Sequence, residues 1–247
     1  MSGHSKWSKI KRKKGVNDSR RSKIWARLTR EIMIAARDGG GETSMNPKLG
    51  LAVEKAKAEN MPKDNIERAI KRGAGEIEGA DYVEITYEGY GPHGIAFFVE
   101  VLTDNTNRSV ADIRSMFSKS GGNLGTSGSV AFQFERKGVI DVKGDATEDD
   151  LFELVAEAGA ENLEKDDDGF TITTEVESFG SVHAALEEAG IEMDDPSLVR
   201  IPTTTMILPI AHAEKVLRLV DALEEHPDVQ AVFTTLELDE ATISALA

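Results

Sequence analysis

The sequence predicts an α+β fold: an N-terminal three-helix domain followed by two split-βαβ (ferredoxin-like) α+β domains, one of them inserted into the other. In the first 80 residues, apolar side chains recur at helical spacing, whereas later segments alternate apolar and polar side chains with a period of two. A middle stretch has a complete βαββαβ order, and the flanking segments give an extra strand and a second such order when joined. The predicted domains are residues 1–78, residues 79–137 with 203–247, and residues 138–202.

The N-terminal domain begins with a basic arm and continues as helices. Residues 1–16 have no apolar stripe, so they predict an extended arm that becomes ordered on binding. A first helix is expected over about residues 18–38, because N-capping side chains precede it and three glycines follow it. A second helix begins at Asn46-Pro47, since Asn favours the cap and Pro the first helical position, and a third ends at Gly73.

The rest of the chain predicts strands that alternate with helices. The elements of the discontinuous domain are strands 82–88 and 94–103, helix 107–119, strand 129–135, strand 203–208, helix 211–225 and strand 229–236. The elements of the inserted domain are strand 139–142, helix 147–158, a hairpin around Asp168-Gly169, helix 178–189 and strand 198–201.

Charge is distributed very unevenly along the chain. The net charge is −15, yet residues 1–80 contain 19 basic and 10 acidic side chains, whereas residues 81–247 contain 10 and 34. Residues 138–202 alone contain 3 basic and 19 acidic side chains. A basic N-terminal segment on an acidic protein points to a polyanionic partner, which predicts nucleic acid as the ligand.

Several function classes lack the residues they require. Cysteine is absent, which excludes a disulfide scaffold, a thiol nucleophile and a cysteine-based zinc site. The five histidines form no His-Glu-x-x-His motif, no Gly-x-Ser-x-Gly is present, and the acidic runs lack EF-hand spacing. No run approaches the roughly 18 apolar residues of a membrane span. We therefore expect a non-enzymatic protein without a cofactor, metal or evident small-molecule substrate, and no membrane partner.

Two glycine-rich segments call for interpretation. Gly89, Gly91 and Gly94 match the letters of a dinucleotide-binding fingerprint, but a strand follows where that motif requires a helix. The pattern therefore favours a tight β-hairpin. The segment 121–129 follows a helix C-terminus, where the helix dipole disfavours phosphate, so we expect a loop that adapts to a partner.

The candidate nucleic-acid contacts lie in the arm and on the first helix. On that helix, apolar side chains form one stripe and basic side chains form another, which predicts one packed face and one face presenting a row of cations. The third helix, with Arg68, Lys71 and Arg72, also resembles the second helix of a helix-turn-helix. The candidates are His4, Lys6, Trp7, Lys9, Lys11, Arg12, Lys13, Lys14, Arg20, Arg21, Lys23, Arg27, Arg30 and Arg37.

A second contact surface is expected in the discontinuous domain. The glycine-rich loops 89–94 and 121–128 have no packing role that the sequence reveals, and loops on a rigid sheet often bind partners. The alternative is that the glycines only satisfy turns and that Arg108 only neutralises Asp104 or Asp112. The candidate residues are Asn105, Asn107, Arg108, Arg114 and Lys119.

These segments carry a family resemblance. Their order and spacing are similar to those of the YebC family across residues 1–140, and beyond that the similarity lies mainly in the order of elements. The matching segments are GHSKW (Gly3–Trp7), GGG (Gly39–Gly41), NPKL (Asn46–Leu49), NMPKDNIERAIKRGAG (Asn60–Gly75), YEGYGPHG (Tyr87–Gly94), DNTNRSVADIR (Asp104–Arg114), GGNLGTSGSVAFQF (Gly121–Phe134) and KGVI (Lys137–Ile140).

The resemblance implies a cytoplasmic, three-domain transcriptional regulator that binds DNA. Mitochondrial relatives are translational activators of cytochrome c oxidase, and bacterial members have been linked to ribosomes, so an RNA- or ribosome-binding translation factor is the alternative. An unrecognised hydrolase is the third and least favoured alternative, because the sequence contains no set of catalytic residues.

The N-terminus is basic and poor in acidic residues, like a mitochondrial transit peptide. Cleavage of such a peptide would remove the signature at residues 3–7, so the resemblance argues against this interpretation. Charge alone separates neither DNA from RNA nor one sequence from another.

Overall fold

The computed structural model describes residues 18–78, 82–143, 147–166 and 169–246. Their contacts divide them into two compact units, one from the described residues of Met1–Gln133 and Pro202–Ala247 and one from those of Phe134–Ile201. The first unit contains three N-terminal helices and a four-stranded sheet, and the second is an α+β unit with its own four-stranded sheet. The predicted fold class, helices followed by an α+β region, is confirmed.

The three N-terminal helices are α1 (Asp18–Gly39), α2 (Pro47–Ala58) and α3 (Lys63–Gly73). Asn46 caps α2 as predicted, because its side chain accepts from the Leu49 backbone N–H at 3.1 Å. The same side chain donates to the Ala35 carbonyl at 2.8 Å and so fastens the start of α2 to α1. The apolar stripes of the helices meet in one core that includes Leu28, Ile32, Leu49, Ala52, Ile66 and Ala69.

The last turn of α3 packs very closely against α1. A Cβ on Gly73 would lie 2.8 Å from the Ala36 Cβ and closer still to the Met33 carbonyl oxygen, so only glycine permits this approach. The residue that the sequence marks as a helix end is therefore also the crossing point of two helices. Its neighbour Arg72 is consequently held beside α1.

The sheet of the first unit is formed by β1 (Val83–Tyr90), β2 (Ala96–Thr103), β3 (Asn123–Leu124) and β9 (Val229–Thr234). Its order is β3-β1-β2-β9, and every pairing in it is antiparallel. The helices α4 (Thr106–Lys119) and α7 (Ile210–Glu224) contribute Ile113, Phe117, Val216 and Leu219 to its core. In a βαββαβ sheet the third strand lies between the first and the second. Here β1 takes that place, between β2 and β3.

The predicted strand 203–208 does not join this sheet. Within that segment only β8 (Met206–Ile207) forms, and it pairs in parallel with β10 (Leu236–Glu237) in a separate two-stranded sheet. The physical reason is locality: β1 and β2 are joined by a tight turn, so β1 pairs along the full length of β2. A short final helix, α8 (Glu240–Leu246), follows.

The second unit has the split-βαβ order that the sequence predicts for the inserted segment. Its strands are β4 (Phe134–Val142), β5 (Ala160–Asp166), β6 (Gly169–Glu175) and β7 (Met193–Pro202). They are arranged β5-β6-β4-β7, and β6 pairs antiparallel with both β4 and β5. Ile140, Leu151, Ile172, Val182 and Leu186 are fully or almost fully buried within it. Its helices are α5 (Glu148–Glu157) and α6 (Phe179–Glu188).

Candidate nucleic-acid interface

The arm candidates lie outside the described residues, and the helix α1 begins just after them. Arg21 and Lys23 on the first turns of α1 are exposed to solvent. The guanidinium of Arg21 lies 5.1 Å from the centre of the Trp25 ring, a distance suited to a cation–π contact. The candidates that are not described are His4, Lys6, Trp7, Lys9, Lys11, Arg12, Lys13 and Lys14, together with the side chain of Arg20.

The prediction of a continuous row of exposed cations on α1 is wrong at the centre of the helix. Arg30 is only 9% exposed, and Arg27 is half-buried with its Nη1 donating to the Gln230 carbonyl at 3.3 Å. Arg37 is exposed, but its guanidinium donates to the Tyr82 carbonyl at 2.5 Å and contacts Asp38. These arginines hold α1 against residues near β1 and β9, which helical periodicity alone does not reveal.

Arg30 borders a cleft of about 240 Å³. Its Nη2 donates to the Pro227 carbonyl, and its guanidinium carbon lies 5.9 Å from the centre of the Tyr82 ring. Its Nε is buried and has no hydrogen-bond partner among the described residues. We call this the Arg30 cleft, and its lining residues are Ala26, Thr29, Arg30, Met33, Arg72 and Tyr82.

The helix α3 presents cations on its outer face, as the sequence suggests. Ile66 and Ala69 are buried against the other helices, whereas Arg68, Lys71 and Arg72 are exposed. The amphipathic spacing of α3 is sufficient to predict this division.

The expected second contact surface is dominated at its centre by internal contacts. Asn105 caps α4, because its side chain accepts from the Arg108 backbone N–H at 3.0 Å. The Arg108 Nη2 lies 2.9 Å from an Asp104 carboxylate oxygen and 2.8 Å from one of Asp228. Neutralisation of Asp104 matches the alternative interpretation, whereas Asp112 instead lies 3.3 Å from His226.

Asp228 is the central residue of this region, and the sequence analysis did not identify it. Its side chain is 5% exposed, and its Oδ2 accepts from Thr103 Oγ1 at 3.0 Å, Ser109 Oγ at 2.8 Å and Arg108. Burial opposes its ionisation, but the hydrogen bonds from Arg108, Ser109 and Thr103 outweigh burial and hold its pKa below the ordinary value. We call Thr103, Asp104, Arg108, Ser109 and Asp228 the Asp228 cluster.

The other candidates of this surface remain open to solvent. Asn107, Arg114 and Lys119 are exposed on α4. Within the described part of the chain, neither Arg114 nor Lys119 forms an ion pair. No signal in the sequence distinguishes these two cations from Arg108, because the partner Asp228 lies 120 positions away.

The glycine-rich loops have packing roles, contrary to expectation. A Cβ on Gly89 would lie 2.5 Å from the Asn123 carbonyl oxygen, and one on Gly122 would lie 2.6 Å from that of Tyr90. The Gly89–Gly94 segment belongs to the β1–β2 hairpin, so the predicted hairpin is confirmed. The glycines therefore allow backbones to approach closely.

Glu88 explains why the predicted strand 129–135 does not form as such. Its buried carboxylate accepts from the backbone N–H groups of Gly128, Val130 and Ala131 at 2.7–2.8 Å. These bonds hold the loop in a turn and a single 3₁₀ turn, and β4 starts only at Phe134.

The described residues contain neither a metal-ligand cluster nor a membrane-spanning helix. No group of three or more His, Asp or Glu side chains there is arranged to hold a metal ion. Across the same ranges, no helix combines the length and apolar character needed to cross a bilayer. What these residues do present is a set of cations on three N-terminal helices, followed by an acidic α+β region.

The fold thus defines a mixed α+β protein with a basic helical N-terminal region. Residues 5–76 match the family model described as the TACO1/YebC protein N-terminal domain, and residues 82–236 match the model of the TACO1/YebC second and third domain. The chain belongs to the TACO1/YebC family, as the resemblance predicts.

Relatives at high identity span the whole chain. A "probable transcriptional regulatory protein" of Rubrobacter xylanophilus is 54% identical over 249 residues, covering 100% of both chains. One of the same name from Chlorobaculum tepidum is 52% identical over 248 residues, covering 100% of this chain and 99% of its own. The crystal structure of a conserved hypothetical protein from Aquifex aeolicus is similar with a TM-score of 0.83 at 43% identity, over 90% of this chain and 93% of that one.

Proposed function

We propose that this protein is a non-enzymatic, nucleic-acid-binding regulator of gene expression that acts in the cytoplasm as a DNA-binding transcriptional regulator. The curated relatives carry the name of transcriptional regulators, which supports the regulatory part of the proposal. The single observation that carries the binding part is the surface of α1 and α3, where Arg21, Lys23, Arg68, Lys71 and Arg72 are exposed.

The charge distribution explains why binding would be confined to the N-terminal region. Residues 1–80 contain 19 basic and 10 acidic side chains, and the remainder contains 10 basic and 34 acidic ones. A phosphate backbone is attracted by the first region and repelled by the second. The proposal therefore assigns nucleic-acid contact to residues 1–78, and assigns residues 79–137 with 203–247 and residues 138–202 to two further domains.

A second candidate function, an RNA- or ribosome-binding translation factor, is favoured by the acidic second unit. Residues 138–202 have 3 basic and 19 acidic side chains, so a long duplex laid along the protein would be repelled. A short basic region that docks on a crowded ribonucleoprotein avoids this repulsion. Crosslinking in cells followed by sequencing of the bound nucleic acid separates the two functions, since it returns either chromosomal DNA or RNA.

The salt dependence of binding tests the proposed role of the arm. Each phosphate contact that is lost lowers the slope of log K against log salt by roughly 0.7–0.9. Replacement of Lys11, Arg12, Lys13 and Lys14 by alanine is expected to weaken binding to all sequences and to flatten that slope. The matched control replaces Lys143, Lys165 and Arg200 of the acidic unit, and its slope is expected to match the wild type. An unchanged slope in the arm variant contradicts the proposal.

The second contact surface, for RNA or ribosomal protein, belongs to the translation-factor candidate and is tested separately. Arg114 and Lys119 are exposed and unpaired among the described residues, whereas Arg108 is engaged by Asp104 and Asp228. Charge reversal of Arg114 and Lys119 is expected to weaken partner binding while leaving the melting temperature unchanged. Wild-type binding by that variant would remove this surface from the proposal and leave the arm unaffected.

A further inference from the structure

Arg30 is a buried cation with no anionic partner among the described residues. It is 9% exposed, and within the described ranges it has no carboxylate within ion-pair distance. Its known partners are the Pro227 carbonyl and the face of the Tyr82 ring, while its Nε–H has none. Buried charges in proteins are normally paired, because removing an unpaired charge from water is strongly unfavourable. The site is thus electrostatically incomplete.

A second cation lines the same cleft from a different helix. Arg72 precedes Gly73, whose missing side chain lets α3 approach Met33 and Ala36 of α1. The six described residues that line the cleft include two arginines and no acidic residue. The Thr29 hydroxyl already donates to the Trp25 carbonyl at 2.7 Å. The cationic donors that a ligand would meet in the cleft are therefore the two arginines.

We propose that the Arg30 cleft is a phosphate-binding site, in which Arg30 and Arg72 hold one phosphate group between α1 and α3. Guanidinium groups donate through several N–H bonds in fixed directions, and the oxygens of a phosphate accept them from more than one side. A planar carboxylate has only two oxygens in one plane and suits two guanidinium groups on separate helices less well. The Tyr82 ring keeps the Arg30 guanidinium in place.

The phosphate has two possible sources, which share this chemistry. It belongs either to a nucleic-acid backbone or to free inorganic phosphate. The first source rests on the proposed function, whereas the site itself does not. The nucleic-acid source makes the cleft a positioning contact, because a phosphate contact fixes the register of a bound strand without reading its bases.

The test follows the Arg30 Nε–H resonance of the full-length protein by NMR at constant ionic strength. Inorganic phosphate is expected to shift it, whereas acetate, which controls for a general anion effect, is not. Arg72→Ala is expected to weaken phosphate binding about tenfold, the loss typical of a charged hydrogen bond. Arg72→Lys retains the charge and is expected to fall between the two. The control Arg218→Ala removes an exposed arginine of α7, and this variant is expected to bind phosphate as the wild type does.

An oligonucleotide titration then distinguishes the sources. If it shifts the Arg30 resonance and inorganic phosphate competes, the source is the nucleic-acid backbone. If only inorganic phosphate shifts it, the ligand is free phosphate, and the site stands even where fluorescence anisotropy finds no oligonucleotide binding and the proposed function fails. If anisotropy finds binding but neither phosphate nor oligonucleotide moves the Arg30 resonance, the site is wrong and the proposed function survives. Equal phosphate binding by Arg72→Ala and wild type also overturns it.

Discussion

The Arg30 cleft and the Asp228 cluster each centre on an arginine that the sequence marks as a candidate contact. The two arginines differ in their exposure to solvent and in whether a carboxylate neutralises them. Arg30 is 9% exposed and has no carboxylate partner among the described residues, whereas the Arg108 side chain is 46% exposed and contacts two carboxylates. The more accessible arginine is therefore already neutralised. Counter-charge, in addition to exposure, decides whether a cation is available to a ligand.

The largest effect is expected from removal of the buried carboxylate of the Asp228 cluster. Asp228→Ala leaves the Thr103 and Ser109 hydroxyls without their shared acceptor and Arg108 without its buried partner. A hydrogen bond to a charged group typically contributes about 1.5–3 kcal/mol, and two buried hydroxyls lose one each, so we expect a loss of about 3 kcal/mol or more. Urea unfolding should show this loss, and Asp112→Ala, whose side chain is half exposed, should change the stability little.

This variant can break the comparison. If Asp228→Ala unfolds at the wild-type urea concentration, the cluster is not a structural device. Arg108 would then be as free for a partner as the sequence suggests.

The next largest effect concerns the helix crossing that forms the Arg30 cleft. Gly73→Ala places a methyl group against Met33 and Ala36, and overpacking of this kind costs about 1–3 kcal/mol. Gly50→Ala is the matched control, because its Cβ would meet the Thr43 carbonyl oxygen at an ordinary 3.7 Å. That control should gain stability, since alanine is favoured over glycine inside a helix by roughly 0.5–1 kcal/mol.

Thermal unfolding compares the two glycine variants directly. A Gly73→Ala protein as stable as Gly50→Ala would show that α1 and α3 do not meet closely at this point. The placement of Arg72 in the cleft would then lose its support.

Acid unfolding separates the two arginines. The pKa of Asp228 is held below its ordinary value, so its contribution to stability is complete above the ordinary carboxylate pKa and disappears as pH falls through the folded-state value. Arg108→Gln weakens the hydrogen bond that lowers this pKa, so the acid unfolding midpoint should move to higher pH. Arg30 has no carboxylate partner in the described part of the chain, so Arg30→Gln should leave the midpoint in place, as monitored by circular dichroism between about pH 5 and 2. Equal shifts would mean that Arg30 also has an acidic partner.

The smallest effect on both regions is expected from removal of the acidic segment. Replacing residues 138–202 with a short Gly/Ser linker leaves the first unit nearly intact. The Thr203 N–H donates to the Gln133 carbonyl at 2.8 Å, so the chain leaves and re-enters the first unit at neighbouring points. The shortened protein should fold and bind nucleic acid at least as tightly, because a net 16 negative charges are lost. Aggregation, or weaker binding measured by anisotropy, would contradict this.

Much of the architecture was predictable because it depends on local rules. The Asn46-Pro47 pair and Gly73 mark helix ends that the structure reproduces, and the βαββαβ order of the inserted segment gives the expected sheet. The pairing of residues 206–207 was not predictable from order alone, because two strands compete for one edge of the sheet. The hairpin wins that competition, since its strands are closest in the chain.

By itself, the sequence determined the α+β class, the helical N-terminal region, the charge separation along the chain and the family. These follow from periodicity, capping and composition, which act over a few residues or over the whole chain. Tertiary structure alone decided which cations are paired. Arg108 meets Asp228 across 120 positions, and Arg30 meets the Pro227 carbonyl across 197, but no carboxylate among the described residues. Electrostatic neutralisation depends on the distance between charges in space. The number of residues between two positions in the chain does not determine that distance in a folded protein.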